Sequence, residues 1–255
     1  MEHDFEDVEI KINAPKLLEQ KLKSKRKKCM IGTGAMSDPY IPIPENLNNI
    51  RTCLEIIEKY GFGLAIQTKS NLILKDLDLL IKINKKAKCV TAITLTTFDE
   101  DLCRIIEPNV STTKERFEIL KIMRDNGIQT IVWLSPILPF INDTEENIRG
   151  ILNYCVEAKV YGIICFEMGL TLREGDREYF YKNLDKYFPT LKQKYQNKYG
   201  NSYIITSDNN KELMKIFNKT CQDNNIVYNN NELFAYMAAF EEKNKIDQLS
   251  LFTFT

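Results

Sequence analysis

Five short runs of β-branched and apolar residues alternate with longer amphipathic segments over the first two thirds of the chain. That alternation restricts the fold more than any other feature. The runs are 28–34 (KCMIGTG), 62–68 (FGLAIQT), 89–95 (CVTAITL), 129–135 (QTIVWLS) and 161–166 (YGIICF). Helical periodicity covers 14–24, 47–60, 74–84, 114–126 and 143–158, with a shorter stretch at 99–106. Strand followed by helix, repeated, is the pattern of βαβ units around a parallel sheet. In NDTEENI, Asp143 precedes Glu146 by three positions, the spacing of a capped helix start, and Gly61 and Gly127 stand where two helices stop.

The pattern has one irregularity. It opens on the helix at 14–24, preceded only by EDVEIKI, so either 7–12 is a short strand or a βα fold begins without its first strand. Beyond Phe166 the chain predicts charged and aromatic helices at 176–188, 191–199 and 210–224, then a polar, weakly patterned tail from Asn229 to QLSLFTFT. The reading is a single domain over 1–255: a partial βα barrel to about residue 170, then a helical extension packed on it.

Composition removes several function classes. Thirty-five basic and thirty-five acidic residues cancel, so no global field draws the chain to nucleic acid or a membrane. No apolar run approaches the roughly 20 residues of a membrane span, and the acidic start MEHDFEDVEI is unlike a signal peptide, so a cytoplasmic location is expected. The seven cysteines are scattered, no two closer than ten positions, which predicts reduced thiols and no local metal motif. The single histidine, His3, leaves little for Ser-His-Asp or Cys-His chemistry.

In parallel βα folds functional groups gather where strands end. Those positions carry Thr33, Ser37 and Asp38; Thr68, Lys69 and Ser70; Thr94, Thr96 and Thr97; Ser135 and Pro136; and Glu167. Small hydroxyls with one lysine suit a zwitterionic or anionic small molecule held by hydrogen bonds and one charge-assisted contact. Each has a plain alternative: Lys69 as a solvated corner lysine, Ser37 and Asp38-Pro39 as turn residues, and the threonines as strand formers. Glu107 and Arg116 are expected to form a structural buried pair. No catalytic acid–base pair is legible.

Gly32-Thr33-Gly34-Ala35-Met36-Ser37 looks like a dinucleotide cradle. However, Ser37 stands where a third small residue is needed, and the three prolines of DPYIPIP deny the loop an immediate helix. A different resemblance covers nearly the whole chain. The stretches IGTGAMSDPYIPIP, TKSNLILKDLDLL, ITLTTFDEDLCRIIEP, PILPFINDTEEN, GLTLREGDREYFYKNLD and QLSLF follow one another as in the radical S-adenosylmethionine proteins of the spore-photoproduct-lyase-like group, often called DNA repair photolyases, which this sequence resembles.

The resemblance implies a partial (β/α)6 TIM-like barrel of the radical S-adenosylmethionine type. Such a barrel holds S-adenosylmethionine and a [4Fe–4S] cluster at the C-terminal mouth of its strands. Reductive cleavage of the cofactor there yields a 5′-deoxyadenosyl radical. It implies Lys69 near the cofactor carboxylate, Ser37 and Thr94 on its polar groups, and backbone at Ser135 and Pro136 beside the adenosine. In the group, a CxxxCxxC motif that binds the cluster follows the first strand, just before the stretch matching FEDVEIKINAP; this sequence contains neither. The expectation is therefore a chain lacking its cluster-binding segment and inactive alone, with a longer protein or a separate chain supplying that segment. A non-catalytic S-adenosylmethionine-binding or degenerate barrel is the alternative. Nucleic acid is a partner by resemblance only.

Overall fold

The computed structural model describes residues 8–243. Five parallel strands, β1 (Met30–Thr33), β2 (Gly63–Thr68), β3 (Cys89–Thr94), β4 (Gln129–Trp133) and β5 (Gly162–Ile164), form one sheet in sequence order. All five runs anticipated from the sequence are strands, each trimmed at its ends. The connections carry α1 (Ala14–Ser24), α2 (Pro44–Tyr60), α3 (Leu77–Lys86), α4 (Glu100–Ile106), α5 (Thr113–Asp125) and α6 (Glu145–Ala158). Pro44 opens α2 in the first turn, where its missing N–H costs nothing, and Gly61 closes it in the left-handed region at φ +66°. Thr112 and Glu115 form a reciprocal capping box on α5.

Three features differ from the sequence reading. The cap of α6 is Thr144, whose hydroxyl accepts from the Asn147 N–H at 3.2 Å, while Asp143 turns away to accept from the Ser207 hydroxyl. Residues 8–12 contain no strand, and Asp7 lies outside the described residues, as does QLSLF. The C-terminal third is not wholly helical. Besides α7 (Asp176–Tyr187), α8 (Leu191–Tyr199) and α9 (Asn210–Asp223), it holds an antiparallel pair, β6 (Gly169–Thr171) with β7 (Ile204–Thr206). The segment read as an unpatterned tail contains α10 (Asn230–Ala238), capped by the Asn229 side chain on the Glu232 N–H at 3.1 Å.

β3 and β5 are buried along their whole length, whereas β1 has no buried residue. The outer face of the sheet packs against α2, α3, α5, α6 and α9 through residues such as Leu64, Ile66, Ile93, Val132 and Ile163. The concave face carries Val90, Ala92, Ile131 and Ile164, and closes on Leu233 of α10. Among the described residues β1 bonds only to β2, and β5 pairs only with β4 among the strands of the sheet. The sheet is thus an open arc, and α10 packs against both its end strands. The order and direction of strands match a partial TIM-like barrel.

Candidate functional site at the strand ends

The β1–α2 loop is held by one carboxylate. Asp38 Oδ1 accepts from the Tyr40 N–H at 2.9 Å and the Thr68 hydroxyl at 2.7 Å, while Oδ2 accepts from the Lys69 N–H at 2.7 Å. Asp38 therefore ties the loop after β1 to the end of β2, the turn role open to it from the sequence. Tyr40 beneath is buried and donates its hydroxyl to Asp76, which Arg51 meets at 2.7 Å.

Lys69 is not a free corner lysine. Its ammonium contacts Glu107, whose other oxygen lies 2.8 Å from Nη1 of Arg116. Arg116 has no exposed side-chain surface; it also donates from Nε to Ser111 O at 2.7 Å and from Nη1 to Thr94 O at 3.0 Å, while Nη2 has no partner. The Glu107–Arg116 pair is the one expected, with Lys69 as a third member that the sequence does not disclose. Burial pushes the Glu107 carboxyl up, but the two flanking cations outweigh it and hold the group below the usual glutamate range. The trio carries two positive charges and one negative.

The other hydroxyls at the β3 end are structural. Asn142 and Asn147 donate to Thr96 O at 3.0 and 2.9 Å, Asn142 also reaches the Thr97 hydroxyl, and Thr113 donates to Thr97 O. Thr94 is buried on the concave face, in register with Trp133. Ser135 is half-buried, Pro136 is exposed, and the bond between them is cis. Glu167 is exposed and accepts from the Thr206 hydroxyl at 2.9 Å.

Two of the cavities at this rim take in residues anticipated for the cofactor. One, of about 650 Å³, lies inside the arc, lined by the Gly32–Ser37 loop, Ala65, Gln67, Ala92, Trp133 and, from α10, Phe234 and Met237. Among the described residues no charged side chain lines it. The other, of about 490 Å³, lies between the rim and α7 and takes in Lys69, Glu107, Asn109 and Pro136. The five anticipated residues thus do not share one cavity: Ser37 opens on the inner one, Lys69 and Pro136 on the outer one, and Thr94 and Ser135 line neither. Gln67, Trp133 and Phe234 were missed. Gln67 alternates with Ala65 in a strand, and the sole tryptophan lies two positions before Ser135, so both were findable; Phe234, on an element the sequence conceals, was not.

Gly32 and Gly34 differ in what they do for the inner cavity. A Cβ on Gly34, where φ is +99°, would lie 2.0 Å from Gln67 O, so this glycine is required by the backbone. A Cβ on Gly32 would meet nothing within 4 Å. Its absence leaves room in the cavity that no protein atom uses.

No protein-family model matches the chain. An uncharacterized protein of Methanocaldococcus jannaschii is 34% identical over 138 residues, 54% of this chain and 50% of the relative. An uncharacterized protein of Mycobacterium tuberculosis is 26% identical over 200 residues, 77% of this chain and 58% of the relative. The chain thus spans between half and three fifths of these curated relatives. Spore photoproduct lyase, in a structure complexed with dinucleoside spore photoproduct, superposes with a TM-score of 0.56 at 13% identity, covering 85% of this chain and 65% of that one. The likeness establishes a shared fold. Among the described residues no helix is long and apolar enough to cross a membrane.

Group types that S-adenosylmethionine requires are present at the rim, divided between its two cavities: the partly exposed Lys69 ammonium, in a trio of net charge +1, on the outer one, and the Ser37 hydroxyl with aromatic rings on the inner one. A [4Fe–4S] cluster does not fit the thiols of this chain. Among the described residues no group of three or more His, Cys, Asp and Glu can hold a metal ion. Five of the seven cysteines are buried, and burial pushes Cys89, Cys165 and Cys221 up to about 12, so in the protein as described these thiols are protonated.

Proposed function

We propose that this chain is the S-adenosylmethionine-binding barrel of a radical S-adenosylmethionine protein of the spore-photoproduct-lyase-like group, and that by itself it binds the cofactor without cleaving it. The observation that carries this reading is Lys69: a strand-end ammonium in a cluster with one uncompensated positive charge, on the cavity between the rim and α7, in a fold shared with spore photoproduct lyase. In this reading Lys69 receives the cofactor carboxylate, Ser37 its polar end, Thr94 lies beneath, and backbone at Ser135 and Pro136 flanks the adenosine. Radical chemistry would require a reduced [4Fe–4S] cluster, for which the described residues offer no ligand set. This chain's own part is to bind and orient the cofactor and to keep water from it. Because no set of its thiols fits a cluster, no radical step is assigned to it.

Titration calorimetry of S-adenosylmethionine into cluster-free protein tests the proposal. Measurable binding that Lys69→Ala abolishes supports it, and silence overturns it. Anaerobic reconstitution with iron and sulfide tests the second clause: about four irons per chain, with reductive cleavage of the cofactor, would show that the chain is competent alone.

A further inference from the structure

Lys69 carries the longest flexible stem of any residue at the rim, and an unrestrained lysine presents its ammonium over a wide arc. Here it does not. The ammonium is held by Glu107, whose side chain is 9% exposed, and Glu107 is held in turn by Arg116, which has no exposed side-chain surface and is bonded to two carbonyls. Glu107 cannot swing aside without leaving a buried guanidinium uncompensated, a costly state. An arriving anion therefore does not exchange with Glu107. It adds to the ammonium, whose side chain is 33% exposed and which has two donors left beyond the one given to Glu107.

We infer that Glu107, itself held by Arg116, is a positioning residue that fixes Lys69 so that the rim receives a single carboxylate. Two cations and one carboxylate leave a surplus of one charge, and a single carboxylate brings the cluster to neutrality. A dianionic phosphate would overshoot it. The inference rests on the reading of Lys69 as the partner of the cofactor carboxylate and adds to it what makes that lysine selective.

The experiment compares two probes, S-adenosylmethionine and 5′-methylthioadenosine, which keeps the adenosine with its sulfur as an uncharged thioether and lacks the sulfonium charge and the aminobutyrate chain with its carboxylate. Affinities are measured for the wild-type chain, Lys69→Ala, Glu107→Gln and the double variant Glu107→Gln/Arg116→Met. The double variant removes the buried charges together, so a folded protein remains to be measured if the single change does not fold. Expected for the Glu107 variants is a loss of about tenfold for S-adenosylmethionine, about 1.4 kcal/mol, with methylthioadenosine affinity unchanged. Equal losses for both probes, no change for either, or tighter S-adenosylmethionine binding would overturn the positioning role. If Lys69→Ala leaves S-adenosylmethionine affinity intact, the reading of the site itself fails. If Lys69→Ala weakens it and the Glu107 variants do not, only the present inference fails.

Discussion

Gly32 and Gly34 stand two positions apart in one loop and answer to opposite demands. Gly34 sits against the Gln67 carbonyl with a left-handed backbone, so Gly34→Ala should destabilise the fold by about 2 kcal/mol or more in urea unfolding. Gly32 faces open space, so Gly32→Ala should change stability by no more than about 0.5 kcal/mol. The sequence shows both glycines and cannot rank them, because the ranking depends on how close β2 passes. Lys69 and Glu107 illustrate the same limit. Each was legible as an interesting side chain, and the Glu107–Arg116 pair was anticipated, but Lys69 as its third partner required knowing that the end of β2 and the end of α4 face each other.

Elements differ in how much of themselves they write into the chain. The strands β1–β5 and the helices α1–α9 carry their own periodicity, because each buries one stripe or both faces along several turns or residues. The strands β6 and β7 are three residues long and exist through each other; Gly169 allows that pairing, since a Cβ there would lie 2.1 Å from Ile205 O. Only its cap, Asn229 with Glu232 three positions on, announces α10. Its seat is specific: Asn230 bonds both the N–H and the carbonyl of Cys165, Tyr236 stacks on Tyr161 at 4.0 Å, and Lys88 donates to Tyr236 O at 2.6 Å. Leu233 presses on Gly162, where a Cβ would lie 2.3 Å from its Cδ2. Gly162→Ala should therefore cost about 1–3 kcal/mol and raise hydrogen exchange in 230–238 well above that of β2 and β3; unchanged protection of α10 would contradict this seat.

For the whole molecule, the rim cluster and the thiols set how stability and reactivity depend on conditions. The Glu107 carboxyl is held below the ordinary glutamate value of 4.5 in the folded state. Its contribution is therefore fully present above that value and lost as pH falls through the lower folded value. Thermal unfolding between pH 7 and pH 3 should fall more steeply for wild type than for Glu107→Gln below about pH 4.5, and identical slopes would refute the assignment. A maleimide should label Cys29 and Cys53, the two half-buried thiols, far faster than the five buried ones, with all seven reacting in denaturant. The sequence by itself determined the parallel βα arrangement, the strand-end residues and the want of clustered cysteines, because these follow from periodicity and spacing along one chain. Only the tertiary structure decided that α10 packs against both ends of the arc, that Ser37 and Lys69 open on different cavities, and that Glu107 contacts Lys69. Those facts depend on distances between segments far apart in the chain, where packing and charge act and local pattern is silent.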